Sequence, residues 1–275
     1  MKQKNIKLFA ASENIPILTE NSEAITNNII LPEADKPLDT QNSNKKIIPE
    51  KLIKLLEANL HVGHNANQFN PKMFPYLYTQ KNDLDIIDLV QTARSLERAY
   101  EFVYNAAFNK QTILFVGTKL EAREIIAFEA IRSNSPYISY QWLGGLLTNW
   151  QTIQPRIKRL KNLEQKETTN VSNKISKKDS MILKRELKKL NIMFRGIKNM
   201  KEIPNVIIVI DQHVEKRTIQ EAKILNIPII SIIDTDCNPD LIDIPIPGND
   251  DSCPAIKLIL SRLADAIIAG NSNCV

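Results

Sequence analysis

Cysteine and histidine are scarce in this chain of 275 residues, and their scarcity argues against several kinds of site. The three cysteines, Cys237, Cys253 and Cys274, are odd in number, far apart and without CxxC spacing. This usage argues against a disulfide framework or a zinc knuckle and favours a reducing compartment. His61 and His64 are three apart and could share a helix face, but no third or fourth ligand of suitable spacing accompanies them. We therefore expect no bound metal and no cofactor.

Glycine is also rare in this sequence, and long apolar runs are missing. Seven glycines leave little scope for flexible phosphate loops, and neither GxxxxGK[ST] nor GxGxxG is present. Gly117-Thr118-Lys119 follows an apolar run, which is the usual place for a phosphate, but this segment holds a single glycine. No apolar run approaches the roughly 20 residues of a membrane span. We expect a soluble protein without a membrane partner.

Residues 1–47 lack sustained periodicity and are rich in Asn, Ser, Thr and Pro. Such a segment cannot bury enough apolar surface to fold alone, so we predict a flexible N-terminal extension. Its scattered acidic residues make it a poor transit peptide, because transit peptides are acid-poor and Arg-rich.

Positive charge, by contrast, is concentrated in one segment. Residues 151–204 hold fifteen Lys and Arg against five Asp and Glu, a charge of +10, whereas the whole chain carries +5. The rest of the chain is therefore mildly acidic. This split indicates a polyanionic partner for one part of the molecule, because a basic face binds phosphates by releasing their counterions. The alternative is a solvated face whose lysines maintain solubility.

The same segment has two helical stripes. Apolar residues recur at steps of four, three and three from Ile153 to Leu163, and at steps of four, three and four from Leu183 to Phe194. A polar stretch, residues 168–178, separates them. This pattern predicts an antiparallel coiled-coil helical hairpin over residues 151–203. The basic residues predicted to contact the polyanion are Arg156, Lys158, Arg159, Lys161, Lys177, Lys178, Lys184, Arg185, Lys188 and Lys189.

The remaining body, residues 48–150 and 204–275, alternates helical periodicity with short apolar runs, and its first helix is expected behind Pro49. Continuous apolar runs at 112–116, 206–210 and 227–233 are typical of strands that are buried on both faces. The predicted class is α/β, a doubly wound parallel sheet covered by helices, with the hairpin inserted into it.

Three carboxylates favour an alternative, enzymatic interpretation. Asp234 and Asp236 follow the apolar run Ile229–Ile233, and Asp250 follows a little later, as in phosphatases that use an aspartate nucleophile with Mg²⁺. In those enzymes, however, the nucleophile strand comes first and most of the sheet follows it. Here only about forty residues follow that strand, which argues against such an enzyme. A Mg²⁺-dependent phosphate-handling enzyme is therefore kept only as the alternative hypothesis.

Two tryptophans flank a turn immediately before the basic segment. The turn contains a glycine pair, and Thr148 or Asn149 suits the N-cap of the first hairpin helix. Trp142 and Trp150 could stack on bases beside the basic helix, but such aromatics are more often core residues.

Short characteristic segments occur in order along residues 48–270. They are LLEANLHVGH (55–64), NPKMFP (70–75), IIDL (86–89), LFVGTK (114–119), WLGGLLTN (142–149), RIKRL (156–160), RGIKNM (195–200), PIISIIDTDCNPD (228–240), IPGNDD (246–251) and the helix end at 264–270. Taken together, these segments resemble the small-subunit ribosomal protein 2 family of bacterial-type ribosomes. Two departures stand out: NANQF (65–69) replaces a loop that is usually basic, and Arg195-Gly196 replaces a glycine pair.

The resemblance implies a flavodoxin-like body with an inserted coiled-coil hairpin and a structural, non-enzymatic role in the small ribosomal subunit. The implied partners are ribosomal RNA of that subunit and other small-subunit proteins, and no homo-oligomer is expected. Besides the hairpin residues, the candidate RNA-binding residues are Lys72, Trp142, Thr148 and Asn149. Heavy use of Ile, Asn and Lys fits an AT-rich organellar genome. We therefore expect a plastid-encoded, ribosome-bound protein of the chloroplast stroma, with the bacterial cytoplasm as the alternative.

Overall fold

The computed structural model describes residues 44–168 and 177–273, and within this range it leaves out the side chains of residues 44–50, 66, 168 and 177. Most of the predicted extension, residues 1–43, and most of the predicted polar tip, residues 169–176, lie outside the described residues. The first helix begins at Asn44, ahead of the start that Pro49 suggests. The elements are α1 (Asn44–Glu57), β1 (Val62–Asn65), β2 (Leu77–Lys81), β3 (Leu84–Ile87), α2 (Leu89–Phe108), β4 (Ile113–Val116), α3 (Leu120–Arg132), β5 (Tyr137–Ile138), α4 (Trp150–Thr168), α5 (Lys177–Phe194), β6 (Val206–Ile210), α6 (Lys216–Ile224), β7 (Ile229–Ile233), β8 (Ile244–Pro247) and α7 (Cys253–Ser272).

A parallel sheet of five strands forms the centre of the body, in the order β5-β4-β6-β7-β8. Numbered by position along the chain, these strands run 2-1-3-4-5, which is the flavodoxin-like order. Every residue of β4, β6 and β7 is buried, as expected for strands with helices on both faces. The predicted α/β doubly wound class is therefore confirmed.

Alternate residues of each central strand face two different helix layers. Ile208 and Ile210 of β6 belong to a buried cluster with side chains of α1, α2, α3 and α7. Ile207 and Val209, on the other face, belong to a cluster with side chains of α4, α6 and Phe194. This alternation follows from the period of two in a strand and places the core on both sides of the sheet.

The basic segment contains two helices, α4 and α5, and the first of them also covers the sheet. Ile153, Ile157 and Leu160 of α4 are buried in the same cluster as β4 and β6. Arg159 of α4 donates from Nε and Nη2 to the two carboxylate oxygens of Glu186 in α5, each at 3.1 Å. The predicted helices are thus present and in contact. Their antiparallel coiled-coil packing, like the boundaries 48–150, 151–203 and 204–275, stays a prediction.

A small antiparallel sheet, in the order β1-β3-β2, lies beside the carboxyl end of the central strands. The amide of His64 in β1 donates to Thr235 Oγ1 at 3.0 Å, and the amide of Asn70 donates to the Thr235 carbonyl at 2.9 Å. Thr235 lies two residues beyond the end of β7, after Asp234, so these bonds hold the small sheet against the carboxyl edge of the large one.

Gly196 lies in the short 3₁₀ turn Arg195–Ile197 that ends α5. A Cβ atom at this position would overlap the carbonyl and ring of Tyr137 in β5. The first residue of the usual glycine pair, here Arg195, is exposed and has room for a side chain. The close approach of backbone to backbone therefore requires glycine only at the second position.

We expect Gly196→Ala to lower the free energy of unfolding by about 1–3 kcal/mol, because overpacking must displace β5 or the turn. Urea denaturation of the purified protein measures this change. Gly144→Ala is the matched control, since no atom lies within 4 Å of the added methyl group. Equal midpoints for the two variants would contradict the packing argument.

Candidate nucleic-acid interface

The basic side chains of α4 and α5 that were predicted to contact a polyanion are exposed wherever the structure describes them. These exposed residues are Arg156, Lys158, Arg159, Lys161, Lys178, Lys184, Arg185, Lys188 and Lys189. The side chain of Lys177 lies outside the described residues. Apart from Arg159, which is paired with Glu186, none of them has an ion-pair partner among the described residues. Their charges are therefore available to an external anion.

The two faces of α5 differ in the way that its sequence predicts. Leu183, Leu187 and Leu190 are half-buried on one side, and Phe194 is fully buried. At about 100° per residue, Arg185 and its basic neighbours project from the opposite side. The helix thus presents a charged face to solvent while its apolar stripe packs inward.

The turn before α4 is organised around the carboxylate of Glu221, which comes from the middle of α6. Its Oε1 accepts hydrogen bonds from Trp142 Nε1 at 3.0 Å and from the Gly145 amide at 2.8 Å. Its Oε2 accepts from the amides of Leu147 and Thr148 at 3.0 and 3.3 Å, and from the Thr148 hydroxyl at 3.4 Å. A single buried side chain therefore satisfies five donors of the turn.

The charge of Glu221 is stabilised by these bonds. Burial would raise the pKa of the Glu221 carboxyl, but the hydrogen bonds from Trp142 and from the backbone amides of the turn outweigh it. The net result is a pKa below the ordinary value, so the group remains a carboxylate. Sequence reasoning did not single out Glu221, because an acidic residue within a helix carries no signal of a partner more than seventy positions away.

The turn residues proposed to bind RNA have different exposures. Trp142 is only 7% exposed and packs in the core, which leaves little of its ring for a base to stack on. Its contact with RNA stays a prediction. Thr148 and Asn149 are exposed at the start of α4. Asn149 Oδ1 accepts a hydrogen bond from the Thr152 hydroxyl at 2.6 Å, and its carbonyl accepts from the Thr152 amide. Asn149 thus occupies the N-cap position predicted for Thr148 or Asn149.

Lys72 lies away from the two basic helices, in the short 3₁₀ helix Pro71–Tyr76. Its ammonium group forms an exposed ion pair with Asp240, in the loop after β7. Part of the charge of Lys72 is therefore neutralised within the protein. To bind RNA as proposed, Lys72 must exchange Asp240 for a phosphate.

The crevice at the carboxyl ends of β4 and β6 is where flavodoxin-like sheets commonly bind a ligand, because the strand order reverses there. Here the ammonium group of Lys119 occupies it. Lys119 Nζ lies 2.8 Å from Asp250 Oδ1 and 3.2 Å from Asp211 Oδ2, and it also pairs with Asp251. The amide of Thr118, which would face a bound phosphate, instead donates to Glu215 Oε1 at 2.8 Å. Carboxylates of the protein have taken the position of an anionic ligand.

The pKa shifts in the crevice reflect this internal pairing. Burial lowers the pKa of Lys119, but hydrogen bonds to Asp250 and Asp251 outweigh it and raise the pKa overall. Burial raises the pKa of Asp250 to about 7, with a further contribution from Asp211. The hydrogen bond to Asp234 raises the pKa of His64 to about 9, so that imidazole is protonated at neutral pH.

The structure gives no support to the enzymatic alternative. Asp234 Oδ2 is 3.0 Å from His64 Nδ1, Asp250 is bound to Lys119, and Asp236 Oδ2 is 3.3 Å from His213 Nε2. Each of the three carboxylates has its own cationic or polar neighbour. None of them is left as a free nucleophile, and the surrounding negative charge would repel a phosphate.

A crevice filled by internal ion pairs and an exposed basic surface fit a structural nucleic-acid-binding protein better than they fit an enzyme. Residues 55–270 match the family model of Ribosomal protein S2. The chain belongs to this family, whose members have a structural and non-enzymatic role.

The relatives identify the branch of the family. Small ribosomal subunit protein uS2c of Guillardia theta is 53% identical over 220 residues, which are 80% of this chain and 94% of that protein. The uS2c protein of Trieres chinensis is 52% identical over 219 residues, covering 80% and 96% of the two chains. Small ribosomal subunit protein uS2 of the cyanobacterium Microcystis aeruginosa is 50% identical over 219 residues, covering 80% and 83%. The chain is a plastid-type S2 protein, as expected from its sequence.

Proposed function

We propose that this protein is a structural constituent of the small ribosomal subunit that binds ribosomal RNA and neighbouring subunit proteins during translation. The observation that supports the proposal most directly is the exposed basic surface of α4 and α5 in a member of the S2 family. Among its described candidate residues, only Arg159 has an ion-pair partner within the described part of the chain. RNA phosphates are the polyanion that such a surface binds, through release of condensed counterions.

The charge distribution along the chain supports RNA binding by the segment that contains α4 and α5. Residues 151–204 carry +10 whereas the rest carries a small negative charge, so the RNA backbone is attracted mainly to α4 and α5.

We also propose a plastid location, with the protein bound to ribosomes in the chloroplast stroma and without self-association. The relatives named uS2c support the plastid, and the cyanobacterial relative keeps the bacterial cytoplasm as the alternative. Among the described residues, no helix combines the length and the apolar character that crossing a bilayer requires.

Sedimentation of a native lysate in a sucrose gradient that contains Mg²⁺ tests the proposal. We expect the protein to comigrate with small-subunit RNA at low salt and to move to the top fractions at high salt, because phosphate contacts weaken as counterion concentration rises. A second small-subunit protein, followed in the same gradients, shows whether the particle itself survives the salt. Recovery of the chain only in the top fractions under gentle conditions would overturn the proposed function.

A further inference from the structure

A groove lies beside β5, the strand at one end of the central sheet, where α3 and the carboxyl-terminal end of α5 converge. It has a volume of about 280 Å³. Its apolar lining includes Ala127 of α3 and Ile192 of α5, and its polar lining includes Arg123, Tyr140 and Arg195. None of these five belongs to the RNA-binding residues that the sequence predicted.

The groove continues the basic face of α5, which consists of Lys184, Arg185, Lys188 and Lys189. Ile192 follows Lys188 by four positions and Lys189 by three. Residues at these spacings lie on the same side of a helix, about one 5.4 Å turn apart. An RNA strand whose phosphates bind the basic face therefore reaches the groove at the next turn of α5.

Tyr140 offers an aromatic ring that is braced from within the protein. The guanidinium of Arg123 lies over the ring, 5.0 Å from its centroid, and Arg123 Nε donates to the Thr118 carbonyl at 2.9 Å. Tyr140 nevertheless stays 49% exposed. Unpaired bases stack on aromatic rings of this kind.

The charges of the groove favour an RNA strand as its occupant. Arg123 and Arg195 face a single carboxylate among the lining residues, that of Glu124. Arg195 is exposed and has no ion-pair partner among the described residues. It stands at the position where the sequence departs from the usual glycine pair, and it adds a positive charge beyond the end of the basic face.

We propose that this groove binds an unpaired nucleotide of the RNA strand that occupies the basic face of α5. The base stacks on Tyr140 against the apolar lining, and Arg195 contacts the adjoining phosphate. The inference rests on the proposed RNA-binding function and adds an unpaired nucleotide to the description of the partner. A base within a duplex does not fit, because neighbouring base pairs cover both of its faces. Since every base has a π-face, no particular sequence is required.

Fluorescence anisotropy with the purified full-length protein tests the groove with two labelled probes, a single-stranded oligouridylate and a duplex RNA of equal length. We expect Tyr140→Ala to lower the affinity for the oligouridylate by about 10-fold, because one base–aromatic stack is lost, and to leave the affinity for the duplex unchanged. Tyr140→Phe keeps the ring and should retain the affinity for both probes. Tyr78→Ala is the matched control, because Tyr78 is 76% exposed on β2 and lies outside the groove.

Arg195→Ala gives an independent test at an exposed position. Because it removes one phosphate contact, it should lower the slope of log affinity against log salt for the oligouridylate by about 0.7, whereas Tyr140→Ala should leave the slope unchanged. Arg98→Ala is the matched control, since Arg98 of α2 is exposed and has no ion-pair partner among the described residues.

Equal oligouridylate affinity in Tyr140→Ala and Tyr78→Ala would overturn the inference, and so would an equal loss of affinity for the duplex. If Tyr140→Ala lowers incorporation into small subunits without changing RNA affinity, the groove binds a protein and the inference is wrong. Both results leave the proposed function standing. Failure of the unmodified protein to bind either probe or small-subunit RNA at low salt would overturn the proposed function as well.

Discussion

Reversal of four charges on the outer face of α5 should lower the affinity of the purified protein for small-subunit RNA by about 100-fold or more at moderate salt. The substitutions are Lys184→Glu, Arg185→Glu, Lys188→Glu and Lys189→Glu. All four side chains are exposed and none has an ion-pair partner among the described residues, so the change removes attraction to phosphates without breaking an internal contact.

The salt dependence distinguishes phosphate binding from a general loss of structure. Each phosphate contact contributes roughly 0.7–0.9 to the slope of log affinity against log salt, so the slope should fall by about three units. Filter binding or fluorescence titration at several KCl concentrations measures both quantities. Incorporation of the variant into small subunits, followed on sucrose gradients, should fall in parallel.

A matched control reverses four exposed basic residues on the helices of the opposite layer. Lys54, Arg94, Arg98 and Lys257 lie on α1, α2 and α7, are exposed, and have no ion-pair partner among the described residues. The same change in net charge at these positions should reduce affinity much less. If both quadruple variants lose affinity equally, or if the α5 variant is incorporated normally, the assignment of α4 and α5 as the RNA-binding surface is wrong.

Replacement of Glu221 by Ala should lower the free energy of unfolding by about 3 kcal/mol or more, since each buried donor left without a partner costs about 1–3 kcal/mol. The variant leaves Trp142 Nε1 and the amides of Gly145 and Leu147 without their acceptor. Urea denaturation at neutral pH measures the loss. Glu101→Ala, at an exposed position of α2, is the control and should stay within about 0.5 kcal/mol of the unmodified protein.

The same carboxylate should make stability depend on pH. Its pKa in the folded protein is below the ordinary value of 4.5, so its stabilising contribution is complete above about pH 4.5 and is lost as pH falls through the lowered value. Glu221→Gln has the same shape but cannot titrate, and its unfolding curve should lack this acid-dependent component. An unchanged pH profile in Glu221→Gln would show that the carboxylate does not stabilise the turn.

Several features of the fold were predictable because their signal is local in the chain. The apolar runs Val206–Ile210 and Ile229–Ile233, the second interrupted only by Ser231, indicate strands that are covered on both faces, and both are fully buried. The stripe from Ile153 to Leu163 indicates a helix with one apolar side, and α4 has this side buried. The excess of Lys and Arg in residues 151–204 and the ordered family motifs are likewise properties of the sequence alone.

The remaining features depend on side chains that are distant in sequence and meet only when the sheet assembles. No sequence signal near Glu221 predicts that it accepts five hydrogen bonds from the turn before α4. Likewise, Gly117-Thr118-Lys119 does not indicate that Lys119 binds carboxylates instead of a phosphate. His213 and Asp236 are separated by 23 positions in the sequence, yet His213 Nε2 lies 3.3 Å from Asp236 Oδ2. They become neighbours because β6 and β7 are adjacent parallel strands. Periodicity records which face of an element is buried, whereas the partner of a buried polar group is set by strand order and loop geometry.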